Sequence, residues 1–282
     1  MLKLSDVCAG YGKSEILHSM SLDVTEPAIY VVLGQNGAGK TTLFRAIAGV
    51  IKPTTGSVSL DDEDLYTEGR LRHEIGYLSH FSALPEEMTV GRALGFYAGI
   101  EQGQVERAAE IIGLRDLLLK KVVDLSQGQK KRASIAKLFL RERKLYLLDE
   151  PTSSLDPIVA KEVRDLLLDL SKDRFLLYSS HNLYEAQEIG DYIVLVKDGA
   201  LSFFGKKEEI KSGGYKIGIR ASVDVSSMVS GGKMERGYCV VKVSGPQEVG
   251  EIVKKLVQSN VMVYEVKEFG NPLEDLFMGA RR

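Results

Sequence analysis

Six consecutive apolar residues, Ala28–Leu33, stand in front of a glycine-rich turn, and an apolar-periodic stretch begins near Lys40. A continuous apolar run reads as a strand buried on both faces, and the recurrence behind the turn reads as a helix. Residues 2–26 alternate apolar and polar ("LKLSDV", "SMSLDV"), as half-exposed antiparallel strands do. Short strands and acidic turns ("SVSLDDEDL") continue over 58–78. From about 81 to 144 the period becomes 3.6: "GRALGFYAGI", "QVERAAEIIGL" and "KKRASIAKLFLRE" predict a helical insert. Strand and helix then alternate through "LYLLDE", "PIVAKEVRDLLLDLSK", "RFLLYSS", "NLYEAQEIG" and "YIVLVKDG". That order predicts an α/β fold, a mainly parallel sheet covered by helices, with an antiparallel β subdomain before it. A charged, then glycine-rich stretch, "GKKEEIKSGG", places a boundary near 210. Residues 211–282 read as strands around one helix, a small C-terminal α+β domain.

A chain of 282 residues can bury one large core, or one core and a small second domain. Its 37 basic and 39 acidic residues leave a net charge of −2. Duplex binding leans on clustered phosphate neutralisation, so no nucleic-acid partner is expected. Cys8 and Cys239 lie far apart with no metal-ligand spacing, which suits a reducing cytoplasm and gives no disulfide scaffold. The longest strictly apolar run is the six residues Ala28–Leu33, against about 20 for a membrane span, and the first residues lack a signal-peptide pattern. The chain is expected not to cross a bilayer by itself.

The turn after Leu33, "GQNGAGKT", spans Gly34–Thr41 and matches G-x-x-x-x-G-K-[ST] between a strand and a helix. Glycines let the backbone wrap a phosphate closely and aim successive N–H groups at its oxygens, with a helix N-terminus behind them. Gly34, Asn36, Gly37, Ala38, Gly39, Lys40, Thr41 and Thr42 are therefore the candidate ligands of a nucleotide's phosphates. Lys40 would reach the β- and γ-phosphates, and the Thr41 hydroxyl would ligate Mg²⁺. In "KLYLLDEPTSSLD" an apolar run places Asp149 at the carboxyl end of a buried strand, where open parallel sheets bind ligands. Asp149 can hold the Mg²⁺ shell, and Glu150 can polarise an attacking water. These two motifs together predict a P-loop NTPase core.

The run "LSQGQKKRASIAKLFL", residues 125–140, resembles the signature of ATP-binding cassette (ABC) ATPases, with Gln127 in the usual place of a glycine. Read alone, it is a helix capped by Ser126. The resemblance implies that Ser126, Gln127, Gly128 and Gln129 face the γ-phosphate of ATP held by a second, opposing cassette. It extends over residues 2–210, taken as an ABC ATPase domain. Tyr11 looks like the aromatic residue that stacks on adenine, "SSLD" at 153–156 like the loop that crosses the dimer interface, and His181 like the switch histidine.

The resemblance implies a Mg²⁺-dependent ATPase in which Lys40, Glu150 and His181 are catalytic, with Asp149 and Thr41 as metal ligands. It also implies a dimer of cassettes, of two identical or two different chains, peripheral on the cytoplasmic face of a membrane. Membrane-spanning subunits on other chains would be the partners. The tail "NPLEDLFMGARR" looks like that of many exporter cassettes and favours export over import. A soluble, non-transport cassette is the alternative. One departure concerns "IGYLSHFSALPEEMTV": His80 stands where the family has a glutamine that touches Mg²⁺. Imidazole can ligate a metal but lacks the amide oxygen that Mg²⁺ prefers.

Overall fold

The structure is a computed structural model of the chain, and it describes residues 1–79, 84–99, 102–153, 155–211, 215–270 and 273, the side chains of 98 and 102 excepted. It divides into two compact units, Met1–Phe204 and Gly205–Arg282.

The first unit begins with the alternating segments, which form strands β1 (Leu2–Tyr11) and β2 (Ser14–Val24). The continuous apolar run is β3 (Ala28–Leu33), buried at all six positions, and the loop after it leads into helix α1 (Lys40–Ile47). Next come β4 (Thr55–Leu60), β5 (Glu63–Asp64) and β6 (Ile75–Leu78). The helical region contains α2 (Val90–Ala98), α3 (Gln102–Ile111) and α4 (Gln127–Ala136). The alternating segment supplies β7 (Leu145–Asp149), α5 (Pro157–Leu170), β8 (Phe175–Ser180), α6 (Leu183–Ile189), β9 (Tyr192–Lys197) and β10 (Ala200–Lys206).

These strands make two sheets, an antiparallel one ordered β2-β1-β4-β5 and a six-stranded one ordered β10-β9-β3-β8-β7-β6. In the second sheet β9, β3, β8, β7 and β6 pair in parallel. Strands buried on both faces read as near-continuous apolar runs, which is why β3 and β7 carry apolar residues without alternation. One hydrophobic core joins the two sheets across α1, with Leu4, Val32, Leu43, Phe44 and Leu147 among its fully buried members. Helices α5 and α6 start where side chains satisfy their free N–H groups. Asp156 accepts from Ile158 N and Val159 N at 3.1 Å each ahead of Pro157, and Asn182 accepts from Tyr184 N at 3.0 Å.

The second unit holds α7 (Lys207–Lys211), β11 (Tyr215–Ala221), β12 (Lys233–Glu235), β13 (Tyr238–Val243), α8 (Pro246–Gln258) and β14 (Val263–Glu268). Its antiparallel sheet is ordered β12-β13-β11-β14 and has its own core, built from residues such as Ile217, Ile219, Val241 and Leu256. No helix among the described residues is long and apolar enough to cross a membrane.

Candidate functional site

The chain leaves β3 at Leu33 and turns through residues 34–39 into α1. Gly39 lies at φ 105°, in the left-handed region, where a Cβ would also meet Leu17 Cδ2 at 3.0 Å. Gly34 is needed for space instead: a Cβ there would sit 2.6 Å from the Val196 carbonyl oxygen. Ala38 is buried beneath the loop, and its carbonyl accepts from Gly199 N at 3.0 Å, which pins the loop to the β9–β10 turn. Gly39 occupies the N-cap of α1, so no side chain there takes the helix's first-turn N–H groups. Unpaired N–H groups and the helix dipole make that end an anion site. Lys40 is 7% exposed, and its ammonium donates to the carbonyls of Gly34 at 2.7 Å and Gln35 at 3.1 Å. Burial pushes its pKa below the usual lysine value, while the charges of Glu150 and Asp149 oppose that shift.

Across from α1, β7 ends in Asp149, which is 2% exposed. Thr41 Oγ1 donates to its Oδ2 at 2.9 Å, and Ser179 Oγ donates to its Oδ1 at 2.8 Å. The same Ser179 oxygen accepts from Glu150 N at 2.9 Å. Glu150 adopts φ 48°, a left-handed backbone that costs a non-glycine residue about 1–3 kcal/mol and recurs at functional sites. His181 Nδ1 lies 3.3 Å from Glu150 Oε1, its side chain 64% exposed against 19% for Glu150. Thus two acids, two hydroxyls, one lysine and one histidine from β7, α1, β8 and the loops beside them converge on one edge of the parallel sheet.

They border a cleft of about 530 Å³ lined by Tyr11, Asn36, Gly37, Gly39, Lys40, Thr41, Thr42, Asp149 and Glu150. Gly34 and Ala38 form the back of the loop rather than its cleft face, and His181 reaches the cleft through Glu150. The half-exposed Tyr11 accepts from Arg45 Nη1 at 2.6 Å, and that guanidinium carbon lies 5.8 Å from the Tyr11 ring centroid. Ser126, Gln127, Gly128 and Gln129 do not line this cleft. They open α4 with a reciprocal cap: Ser126 Oγ accepts from Gln129 N at 3.2 Å, and Gln129 Oε1 accepts from Ser126 N at 3.1 Å. Ser126 and Gln127 are exposed. A Cβ on Gly128 would come within 3.8 Å of Leu155, so the start of α4 runs against the segment that follows Glu150. His80 lies outside the described residues, as do Ser154 and all of the tail after 270 except Leu273.

Sequence reasoning passed over Ser179, Arg45 and Tyr77, the last two of which also line the cleft. The signal for Ser179 was present in "FLLYSS": three polar-tipped residues ending a fully apolar run need buried partners. Among the described residues no group of three or more His, Cys, Asp or Glu side chains could hold a metal ion. Thr41 and Asp149 instead present two hard oxygen donors. That sparse set fits Mg²⁺, which usually takes one or two carboxylates and completes its shell with phosphates and water.

A family model described as ABC transporter matches residues 17–153. The chain is similar to the uncharacterized ABC transporter ATP-binding protein YxlF of Bacillus subtilis, 33% identical over 75% of this chain and 72% of that protein. It is also 32% identical to the thiamine import ATP-binding protein ThiQ of Shigella flexneri, over 76% of this chain and 95% of that one. A solved ATP-binding subunit of an ABC transporter superposes with a TM-score of 0.69 at 26% identity, over 75% of this chain and 92% of that one. The phosphate-loop geometry and these likenesses agree: the chain belongs to the ATP-binding cassette family, as an ABC transporter ATP-binding subunit.

Proposed function

We propose that the chain hydrolyses ATP to ADP and phosphate with Mg²⁺, and that two cassettes enclose each nucleotide to drive transport through membrane-spanning subunits on other chains. The observation that carries this reading is the linked set Thr41–Asp149–Ser179–Glu150 beside Lys40, on one wall of a cleft large enough for a nucleotide.

Phosphoryl transfer to water depends mainly on positioning and on neutralising charge on the transferred group. The loop N–H groups and Lys40 cradle the phosphates, exchanging the Gly34 and Gln35 carbonyls for phosphate oxygens. Thr41 and Asp149 would hold the metal, which would supply charge neutralisation on the phosphates. Glu150 takes a proton from the attacking water, with His181 beside it to orient the carboxylate and the water. Tyr11, held by Arg45, offers a ring face to the adenine.

Exposure of Ser126 and Gln127, away from the chain's own cleft, supports their service to the ATP of an opposing cassette. Residues 1–210 serve as this ATPase domain and 211–282 as an accessory domain. The tail's resemblance favours export, while the import protein ThiQ among the relatives speaks for the other direction. The chain would sit peripherally at the cytoplasmic face of the membrane, with no nucleic-acid partner.

Phosphate release by the purified chain, with and without Mg²⁺, tests the reaction. Turnover that requires Mg²⁺ and disappears in Lys40→Ala is expected. Equal phosphate release from both proteins would refute it. Co-purification of a polytopic membrane protein with the tagged chain tests the partner, and its absence from native membranes would favour a non-transport cassette.

A further inference from the structure

Glu185, on the first turn of α6, is 9% exposed, and its carboxylate collects donors from three directions. Thr152 Oγ1 donates to Oε1 at 2.5 Å, Tyr178 OH donates to the same oxygen at 2.7 Å, and Ser180 Oγ donates to Oε2 at 2.7 Å. Arg164 of α5 adds its charge, with Nη1 3.7 Å from Oε1, and its Nε also reaches Glu188 at 3.2 Å. Desolvation, reinforced by the charge of Glu185, pushes the Tyr178 phenol well above its usual pKa, so it stays a neutral donor.

The donors are placed where the reaction would feel them. Thr152 lies two residues after Glu150, in a turn closed by Ser153 N and Ser153 Oγ on the Glu150 carbonyl at 3.2 and 2.8 Å. Ser180 immediately precedes His181, and its oxygen accepts from Asn182 N at 2.9 Å. One carboxylate therefore ties down both segments that present the Glu150–His181 pair, 3.3 Å apart. Ser179 holds the Glu150 backbone N–H as well, at 2.9 Å, while the imidazole of the pair is exposed.

We propose that Glu185 is a positioning residue for hydrolysis: through Thr152 and Ser180 it holds Glu150 and His181 at working distance. The proposal rests on the ATPase reading above. It assigns Glu185 to the chemical step and not to nucleotide affinity, because none of its partners lines the phosphate loop.

The test uses the full chain as wild type, Glu185→Gln and Glu185→Ala, measured well below each melting temperature. Glutamine keeps the shape and one acceptor oxygen but cannot accept from Ser180 with its nitrogen, so the fold survives while the grip loosens. Three quantities are read: bound fluorescent ATP analogue per chain, its Kd, and kcat with KM for ATP. The expected result is one site per chain in all folded variants, with Kd and KM within threefold of wild type. Turnover should fall at least fivefold in Glu185→Gln and further in Glu185→Ala. A Glu185→Gln kcat within twofold of wild type overturns the proposal, as does a fall in kcat that only tracks lost binding sites. A wild-type chain without nucleotide binding or turnover overturns the ATPase reading itself, and the proposal with it.

Discussion

Ser179 and Asp149 stand opposite each other in register on adjacent parallel strands, and the Ser179 hydroxyl donates to Asp149 Oδ1 at 2.8 Å. Ser179 Oγ also accepts the Glu150 N–H at 2.9 Å, so one side chain orients the carboxylate proposed to hold the metal and the backbone of the proposed base. Ser179→Ala leaves a buried carboxylate oxygen and a backbone N–H short of a partner. The expected cost is about 1–3 kcal/mol of stability, seen as a melting temperature lower by a few degrees. If about half of that also appears in the barrier, turnover drops by roughly two- to tenfold. Calorimetry and steady-state kinetics on the same sample check both.

Lys40→Ala removes the ammonium held in the phosphate loop by the carbonyls of Gly34 and Gln35. A hydrogen bond to a charged group is worth about 1.5–3 kcal/mol, so ATP affinity should weaken by roughly 10- to 100-fold. Titration with ATP in the absence of Mg²⁺ separates this loss from any loss of metal.

The half-buried Lys137 supplies a pH-dependent prediction outside the site. Burial, with the like charge of Lys131, lowers its pKa from 10.5 to about 8. The folded state thus disfavours the charged form. Below about pH 8 both states bind the proton and the penalty is in full force; between about 8 and 10.5 the unfolded chain binds more protons, so stability from this group rises with pH. Lys137→Met should raise the melting temperature at pH 7 by on the order of 3 °C, after the lost contact with the Tyr97 ring at 4.9 Å is allowed for. That advantage should hold from pH 7 to about pH 8 and shrink from there to pH 9.5. A constant difference across the range would contradict the assignment.

Much of this site was legible before any coordinates. The phosphate loop is specified by local chemistry, glycine where φ is positive and lysine and threonine at the helix start, so its geometry follows from one short segment. Asp149 could be placed because a fully apolar strand ends there. The polar end of "FLLYSS" signalled that Ser179 needs a buried partner, but which partner was not legible for Ser179 or for Glu185, because it lies 30 residues away on another strand or in segments that meet only after the sheet forms. In the second unit, β12 escaped notice because it is only Lys233, Met234 and Glu235, all exposed and too few to establish a period. Nothing in the sequence singles out Arg45, and only the fold brings it to Tyr11.

The central claim is that ATP is enclosed between two cassettes and hydrolysed with Glu150 as base. Its most direct test is the mass in solution of Glu150→Gln, with ATP and without. The account predicts a 31.1 kDa monomer without nucleotide, a species of twice that mass with ATP, and turnover reduced at least a hundredfold, about 2.7 kcal/mol in the barrier. A variant that stays monomeric with saturating ATP and keeps wild-type turnover would contradict it.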